Sequence, residues 1–236
     1  MPEMGGQRTR IVPPVTTLTT PKPDPHLLSG SHWAGLRIGI LGGSFNPAHA
    51  GHLHVAQQAL MRLGLDQVWL LVSPQNPLKS TREMAPLQDR VDSARKISAK
   101  DPRIIVTAIE TDLNTRYTAQ TLRGLQRRYP RTGFIWLMGA DNLLGFHRWQ
   151  DWQYIAQTIP IAVFARLPYS IQAINGRAAC AFSQYRRRAS ALKGLGSGPR
   201  ARKNKPDWAF VPSPINRLSA TAIRAALNAN PDSAGT

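Results

Sequence analysis

The residues best suited to chemistry lie in one run, Gly42-Gly43-Ser44-Phe45-Asn46-Pro47-Ala48-His49-Ala50-Gly51-His52. Gly42 and Gly43 carry no side chains, so backbone amides there can approach a phosphate closely. Apolar spacing predicts a helix from His49 onward. A helix N-terminus brings unpaired N–H groups and partial positive charge. His49 and His52 stand three apart at that terminus, so both imidazoles fall on one helix face. Two ring N–H donors then point where an oligophosphate would lie, and Gly51 between them permits close approach. The run matches neither G-x-G-x-x-G nor G-x-x-x-x-G-K-[ST], which argues against an NAD-dependent oxidoreductase and an ordinary kinase. Metalloprotease zinc ligands prefer an i, i+4 pair with Glu between them. The spacing of His49 and His52 therefore favours a phosphate, and no metal site is assigned. Histidines that merely cap a turn are the plainer alternative for such a pair.

The flanking elements must hold this run in place. Stretch 36–41 (LRIGIL) reads as a short buried strand, broken by Gly42 and Gly43. Stretch 49–62 is a helix with Leu53, Ala56, Leu60 and Leu63 on one face, stopped by Gly64. The alternation repeats, with strands at 67–73, 103–109, 134–139, 160–165 and 208–211. Helices are expected at 87–100, 118–129, 143–157 and 219–228. Strands alternating with helices predict an α/β fold: a Rossmann-like, doubly wound parallel sheet with helices on both faces. In such sheets ligands bind at the carboxyl ends of strands.

Composition bounds what surrounds this core. The chain has 236 residues, 42% of them hydrophobic, enough for one domain with tails. Residues 1–34 are rich in Pro, Thr and Gly and read as a disordered N-terminal extension; 35–230 form the domain and 231–236 a tail. Stretch 183–206 holds eight Lys and Arg, no acidic residue, and several Gly, and reads as a flexible, solvated insertion. The net charge of +17 invites polyanions. A basic nucleic-acid-binding module is therefore one functional class to weigh, but no helix-turn-helix, zinc-finger or RNP signature supports it. Cys180 is the single cysteine, which excludes a disulfide framework and a cysteine-rich zinc site within one chain. No apolar run approaches the roughly 18 residues that span a bilayer, so no membrane is expected and a soluble cytoplasmic protein is the default.

The glycine–histidine run resembles the first signature of the nucleotidylyltransferase superfamily with its H-x-G-H motif. Leu218-Ser219-Ala220-Thr221-Ala222-Ile223-Arg224 is similar to its second signature, I-S-x-T-x-I-R, with Leu for the first Ile. Within the superfamily the resemblance is to bacterial nicotinate-nucleotide adenylyltransferases, over roughly 36–228. Ser73-Pro74-Gln75-Asn76-Pro77-Leu78-Lys79 resembles their Asn-Pro-x-Lys loop. Arg116-Tyr117-Thr118-Ala119-Gln120-Thr121-Leu122 resembles their T-Y-T-x-x-T-L segment. Gly139-Ala140-Asp141-Asn142-Leu143 and Phe146-His147-Arg148-Trp149 resemble their G-x-D-x-L…F-x-x-W stretch. Ser44 stands where Thr is common, and Asn46 where Asp is common; Asn keeps shape and hydrogen bonding but loses a charge.

The resemblance implies adenylyl transfer from ATP to nicotinate mononucleotide, a step of NAD biosynthesis, with Mg²⁺ carried in by ATP. His49 and His52 would be catalytic and hold the ATP phosphates. The backbone of Gly42, Gly43, Ser44 and Phe45 would cradle phosphate, and Ser219, Thr221 and Arg224 would bind from the other side. Asn46, Lys79, Tyr117, Thr118, Asp141, Trp149 and Arg166 are the candidates for the mononucleotide. Asp141 suits ribose hydroxyls, Trp149 the pyridine ring, and the Tyr117–Thr118 helix start the nicotinate carboxylate. The plainer alternatives are a solvated loop lysine for Lys79, a helix cap for Asp141 and a core position for Trp149, while Trp152 is assigned to the core. Another adenylyltransferase of the superfamily, for nicotinamide mononucleotide or phosphopantetheine, is the nearest alternative.

Overall fold

A computed structural model of the chain describes residues 31–74, 84–166, 168–195 and 205–212. Its elements run β1 (Arg37–Gly43), α1 (Ala50–Leu63), β2 (Gln67–Val72), α2 (Leu87–Ser98), β3 (Ile104–Thr107), α3 (Ile109–Asp112), α4 (Thr118–Arg128) and β4 (Gly133–Gly139). Then follow α5 (Ala140–Gly145), α6 (Trp152–Thr158), β5 (Ile161–Phe164), α7 (Ser170–Ile174), α8 (Arg177–Ala181), β6 (Arg186–Arg187) and β7 (Trp208–Val211). The strands form one sheet in the order β3-β2-β1-β4-β5-β7-β6, and every described pairing is parallel. This is the doubly wound α/β architecture expected from the alternation.

Side chains leave a strand alternately on its two faces, so each strand feeds two cores. Ile38, Ile40, Trp69, Leu71, Phe134 and Trp136 point to one, which Leu122, Leu125 and Ile155 of α4 and α6 close. Leu41, Val68, Leu70, Ile135 and Leu137 point to the other, closed by Ala56, Leu60, Val91 and Ala94 of α1 and α2.

Strand order reverses direction between β1 and β4, which is where such sheets open a ligand crevice. The register shows how it opens. β1 stays paired with β2 to Gly43–Val72, but its pairing with β4 stops at Leu41–Leu137. Two residues of each strand, Gly42-Gly43 and Met138-Gly139, run on beyond that last pair. The glycines therefore do not break the strand as expected; they lie inside it. A Cβ at Gly42 would come within 2.6 Å of Cη2 of Trp136, and one at Gly43 within 3.3 Å of the Phe45 ring. Both glycines make room for neighbouring aromatic rings.

Three other expectations need correction. The helix expected over 143–157 is two helices with an extended Trp149 (φ −74°, ψ 143°) and a left-handed Asp151 (φ 53°) between them. There the Trp149 ring meets Trp136 and Phe146 edge-to-face, at 6.1 and 5.4 Å. The N-terminal extension ends sooner than expected, because Trp33 is buried and stacks edge-on against Trp69. The basic segment is not a solvated insertion over its first half. Residues Ser183–Tyr185 and Ala189–Gly194 form 3₁₀ turns around β6, and Leu192 is fully buried. Two of its charges have partners: Arg187 pairs with buried Asp207 at 2.9 Å, and the Arg186 guanidinium lies over the Trp208 ring at 5.3 Å. From the other side, Arg37 Nη2 donates to the Leu192 carbonyl at 2.7 Å. Residues 1–30, 196–204 and the expected helix at 219–228 lie outside the described residues.

Leu192→Ala tests this reassignment. If 183–195 belongs to the folded body, removing that side chain lowers unfolding free energy by about 2–5 kcal/mol in urea titrations. A solvated insertion would give an unchanged midpoint.

Candidate functional site

The end of β1 turns into α1 through a loop held from several sides. Phe45 has φ 47°, a left-handed backbone that costs a non-glycine residue roughly 1–2 kcal/mol. Its ring is buried and packs 4.6 Å from the His52 ring. The Asn46 side-chain oxygen accepts the Ala85 N–H at 3.2 Å, and Ser93 Oγ accepts the Ala48 N–H at 3.1 Å. The Asn46–Ala85 bond needs only an oxygen acceptor, so Asn serves it as Asp would.

His49 and His52 together cap α1. His49 sits at the N-cap and its Nδ1 accepts the Gly51 N–H at 3.1 Å. His52 Nδ1 accepts the His49 N–H at 3.2 Å, and the two ring centroids lie 3.9 Å apart. A ring nitrogen that accepts carries no proton. In the neutral form each imidazole therefore holds its proton on Nε2, the atom away from the backbone. Burial lowers the pKa of His49 to about 4, and the charge of Arg166 acts in the same direction. Capping thus fixes the tautomer: Nδ1 serves the helix, and in a neutral ring Nε2 carries the proton.

The facing strand end supplies the second wall. Asp141 follows Gly139 at the start of α5, and Arg166 follows β5. Arg166 Nη1 lies 3.2 Å from Asp141 Oδ2, and the Arg166 N–H donates to Ser170 Oγ at 2.9 Å. Asp141 Oδ1 is buried without a hydrogen-bond partner among the described residues. A Cβ at Gly139 would collide with it, so this position admits only glycine while Asp141 keeps its rotamer. Trp149 and Trp152 are both half-buried against the same core, Trp149 on Trp136 and Phe146 and Trp152 on Phe146 and Phe182.

Tyr117 is the N-cap of α4 and Thr118 its first residue. Gln120 Oε1 accepts the N–H groups of Arg116 and Tyr117 at 3.3 and 3.4 Å. Under this turn Thr121 Oγ1 donates to Glu110 Oε1 at 2.9 Å. Burial pushes the Glu110 carboxyl above its ordinary pKa, against the opposing pull of its hydrogen bonds. Sequence reasoning misses Glu110, because an acidic residue just past a strand, in a helix of one turn, carries no sign of burial. It misses Arg90 too, although Arg90 falls on the apolar face marked by Leu87, Val91 and Ala94, which is a readable anomaly. Lys79, Ser219, Thr221 and Arg224 lie outside the described residues, so their positions do not enter this geometry. Among the described residues no three His, Cys, Asp or Glu side chains converge as metal ligands, and no helix is long and apolar enough to cross a membrane.

Comparison with known proteins gives a consistent picture. A family model described as cytidylyltransferase-like matches residues 40–226. The chain is 50% identical over 189 residues to a probable nicotinate-nucleotide adenylyltransferase of Methylorubrum extorquens, covering 80% of this chain and 99% of that one. It is 48% identical over 187 residues to a protein of the same description from Agrobacterium fabrum, covering 79% and 97%. Among solved structures, the Plasmodium falciparum nicotinic acid mononucleotide adenylyltransferase complexed with NaAD is similar in fold. Its TM-score is 0.60 over 81% of this chain and 84% of that chain, at 15% identity.

The His49 environment has a measurable consequence. The unfolded chain takes up a proton on this histidine near the ordinary value of 6.5, while the folded chain does so only at about 4. Between those values the unfolded state binds more protons, so folding stability falls as pH drops through the window and levels off below it. Histidine ring NMR should show His49 neutral down to about pH 4; titration near 6.5 would contradict the burial argument.

Proposed function

The chain belongs to the cytidylyltransferase-like family, and from that premise we infer that it joins ATP to nicotinate mononucleotide, forming deamido-NAD and pyrophosphate. Both named relatives share about half of their residues with it across nearly their whole length. The observation in the site that carries the reading is the paired imidazole cap, two rings whose Nδ1 atoms accept backbone N–H groups at the start of α1, which puts the proton of a neutral ring on Nε2.

The nucleophile is the phosphate of the mononucleotide. Its second pKa is about 6, so it is largely a dianion at neutral pH and needs no general base. One of its oxygens bonds to the α-phosphorus of ATP while the bond from that phosphorus to the bridging oxygen breaks. Pyrophosphate departs with that electron pair. The difficulty is that two anions must meet, so positioning and electrostatic stabilisation supply the catalysis. Mg²⁺ would enter as part of the nucleotide substrate and would offset part of its negative charge.

We assign the donors accordingly. His49 and His52 give Nε2–H to the phosphates of ATP, and the amides of Gly42, Gly43, Ser44 and Phe45 with the N-terminus of α1 add positive potential. A neutral His49 cannot act as an acid of ordinary strength, so its part is to hold and polarise. Ser219, Thr221, Arg224 and Lys79 are further phosphate contacts by resemblance. Asp141 takes ribose hydroxyls, a reading supported by its buried and unpartnered Oδ1. Trp149 stacks on the pyridine ring, with Arg166 alongside. The start of α4 at Tyr117–Thr118 receives the nicotinate carboxylate.

Three outcomes test the reading. His52→Ala should lower kcat by about 10²–10³-fold, the cost of one oriented donor, with the circular dichroism spectrum unchanged. Near-normal turnover would remove His52 from the mechanism. Trp149→Ala should raise KM for the mononucleotide more than KM for ATP; the reverse would end the stacking assignment. The kcat/KM for nicotinate mononucleotide should exceed that for nicotinamide mononucleotide by at least about tenfold, the worth of one charge-assisted hydrogen bond. Equal values would shift the assignment to a sister activity.

A further inference from the structure

Arg90, on the first turn of α2, is 2% exposed, and among the described residues no carboxylate pairs with it. Its guanidinium is spent on backbone carbonyls instead. Nη1 donates to Ser44 O and to Ser73 O, each at 2.7 Å; Nη2 donates to Pro74 O at 3.0 Å; and Nε donates to Ala85 O at 2.9 Å. A buried cation is costly, and a planar fork reaching four carbonyls is one of the few ways to hold it. One helical turn further on, Ser93 Oγ accepts the Ala48 N–H. Arg90 and Ser93 are three apart and so share a face. Together they grip the run from Gly42 to His49 at two peptides.

The grip at Ser44 has a directional consequence. In a trans peptide the C=O and the following N–H point in opposite directions. Drawing the Ser44 carbonyl toward Arg90 therefore turns the Phe45 N–H to the opposite side, away from α2. That peptide enters Phe45 in its left-handed conformation, which needs an outside hold to persist. Ala48 immediately precedes the N-cap His49, so the Ser93 bond sets the point from which both imidazoles are hung.

We propose that α2 positions the phosphate-binding loop of this enzyme, with Arg90 orienting the Ser44–Phe45 peptide and Ser93 fixing the backbone at Ala48. Neither side chain touches substrate; both act through the loop amides and the two histidines. The proposal rests on the reading of that loop as the ATP-phosphate cradle.

Arg90→Lys and Ser93→Ala test it. Lysine keeps the charge but cannot span four carbonyls with one ammonium group. Each variant is assayed beside the unaltered chain for its unfolding midpoint, for kcat and KM with both substrates, and for binding of a non-hydrolysable ATP analogue. The expected result for Arg90→Lys is a loss of at least about tenfold in kcat/KM and a weaker grip on the analogue, with the mononucleotide KM changed less. Ser93→Ala should show the same pattern, smaller, with little change in midpoint. If Arg90→Lys does not fold, Ser93→Ala decides alone, because it removes one acceptor and leaves no buried charge. Variants that lose stability but keep wild-type kcat/KM and analogue affinity per folded molecule would reduce α2 to a structural part and overturn the proposal. Should the unaltered chain make no deamido-NAD, the functional reading fails separately, and analogue binding by the three proteins still decides the role of α2.

Discussion

A sheet of parallel strands buried on both faces leaves only its strand ends for chemistry. Here one of those ends is forced open. β1 and β4 stop pairing at Leu41–Leu137 while both strands continue. Several of the described residues with a proposed role lie where these strands end. The glycine loop and α1 hang from β1, Asp141 and Arg166 follow β4 and β5, and α4 brings Tyr117–Thr118 in from β3. The aromatic packing of Trp136 against Gly42 and of Phe45 against Gly43 keeps the β1 end flat and close. The crevice is therefore a consequence of strand order, and the loops only furnish it.

The two histidines show how one residue type can satisfy structure and chemistry together. An N-cap normally calls for Ser, Thr, Asp or Asn. Imidazole fills the role here because Nδ1 accepts as those oxygens do, and the ring then carries its remaining proton outward. Burial and the nearby Arg166 keep His49 neutral, so the proton stays where the cap puts it. A charged pair 3.9 Å apart would repel itself and lose both caps. Positive potential for an oligophosphate then has to come from amides, the helix terminus and arginine, rather than from imidazolium.

Much of this is legible from residues alone, and the exceptions have physical reasons. The alternation of apolar runs specifies the parallel sheet, and the glycine–histidine run stands out because strand, loop and helix signals agree on it. The function of the glycine pair is only half visible, since the rings that need its space come from residues far away or not in regular register. The basic segment reads wrongly as solvated because Leu192 and Asp207, which anchor it, look ordinary in a stretch dominated by charge. Asn46 reads as a departure facing substrate, yet its oxygen holds the Ala85 amide across 39 residues of sequence. Arg90 shows itself only as a charge on an apolar helix face; its partners, all backbone carbonyls, leave no pairing pattern in the sequence.

What unites these features is a site that holds and polarises but does not attack. Imidazoles tied to backbone through Nδ1 are proposed as donors, and the mononucleotide brings its own nucleophile. The most direct test is the stereochemical course at the α-phosphorus, followed with ATP made chiral there by sulfur and isotopic oxygen. Direct attack by the mononucleotide phosphate gives inversion of configuration. Retention would require two displacements, hence a covalent adenylyl-enzyme, and would contradict the assignment of His49 and His52 as donors.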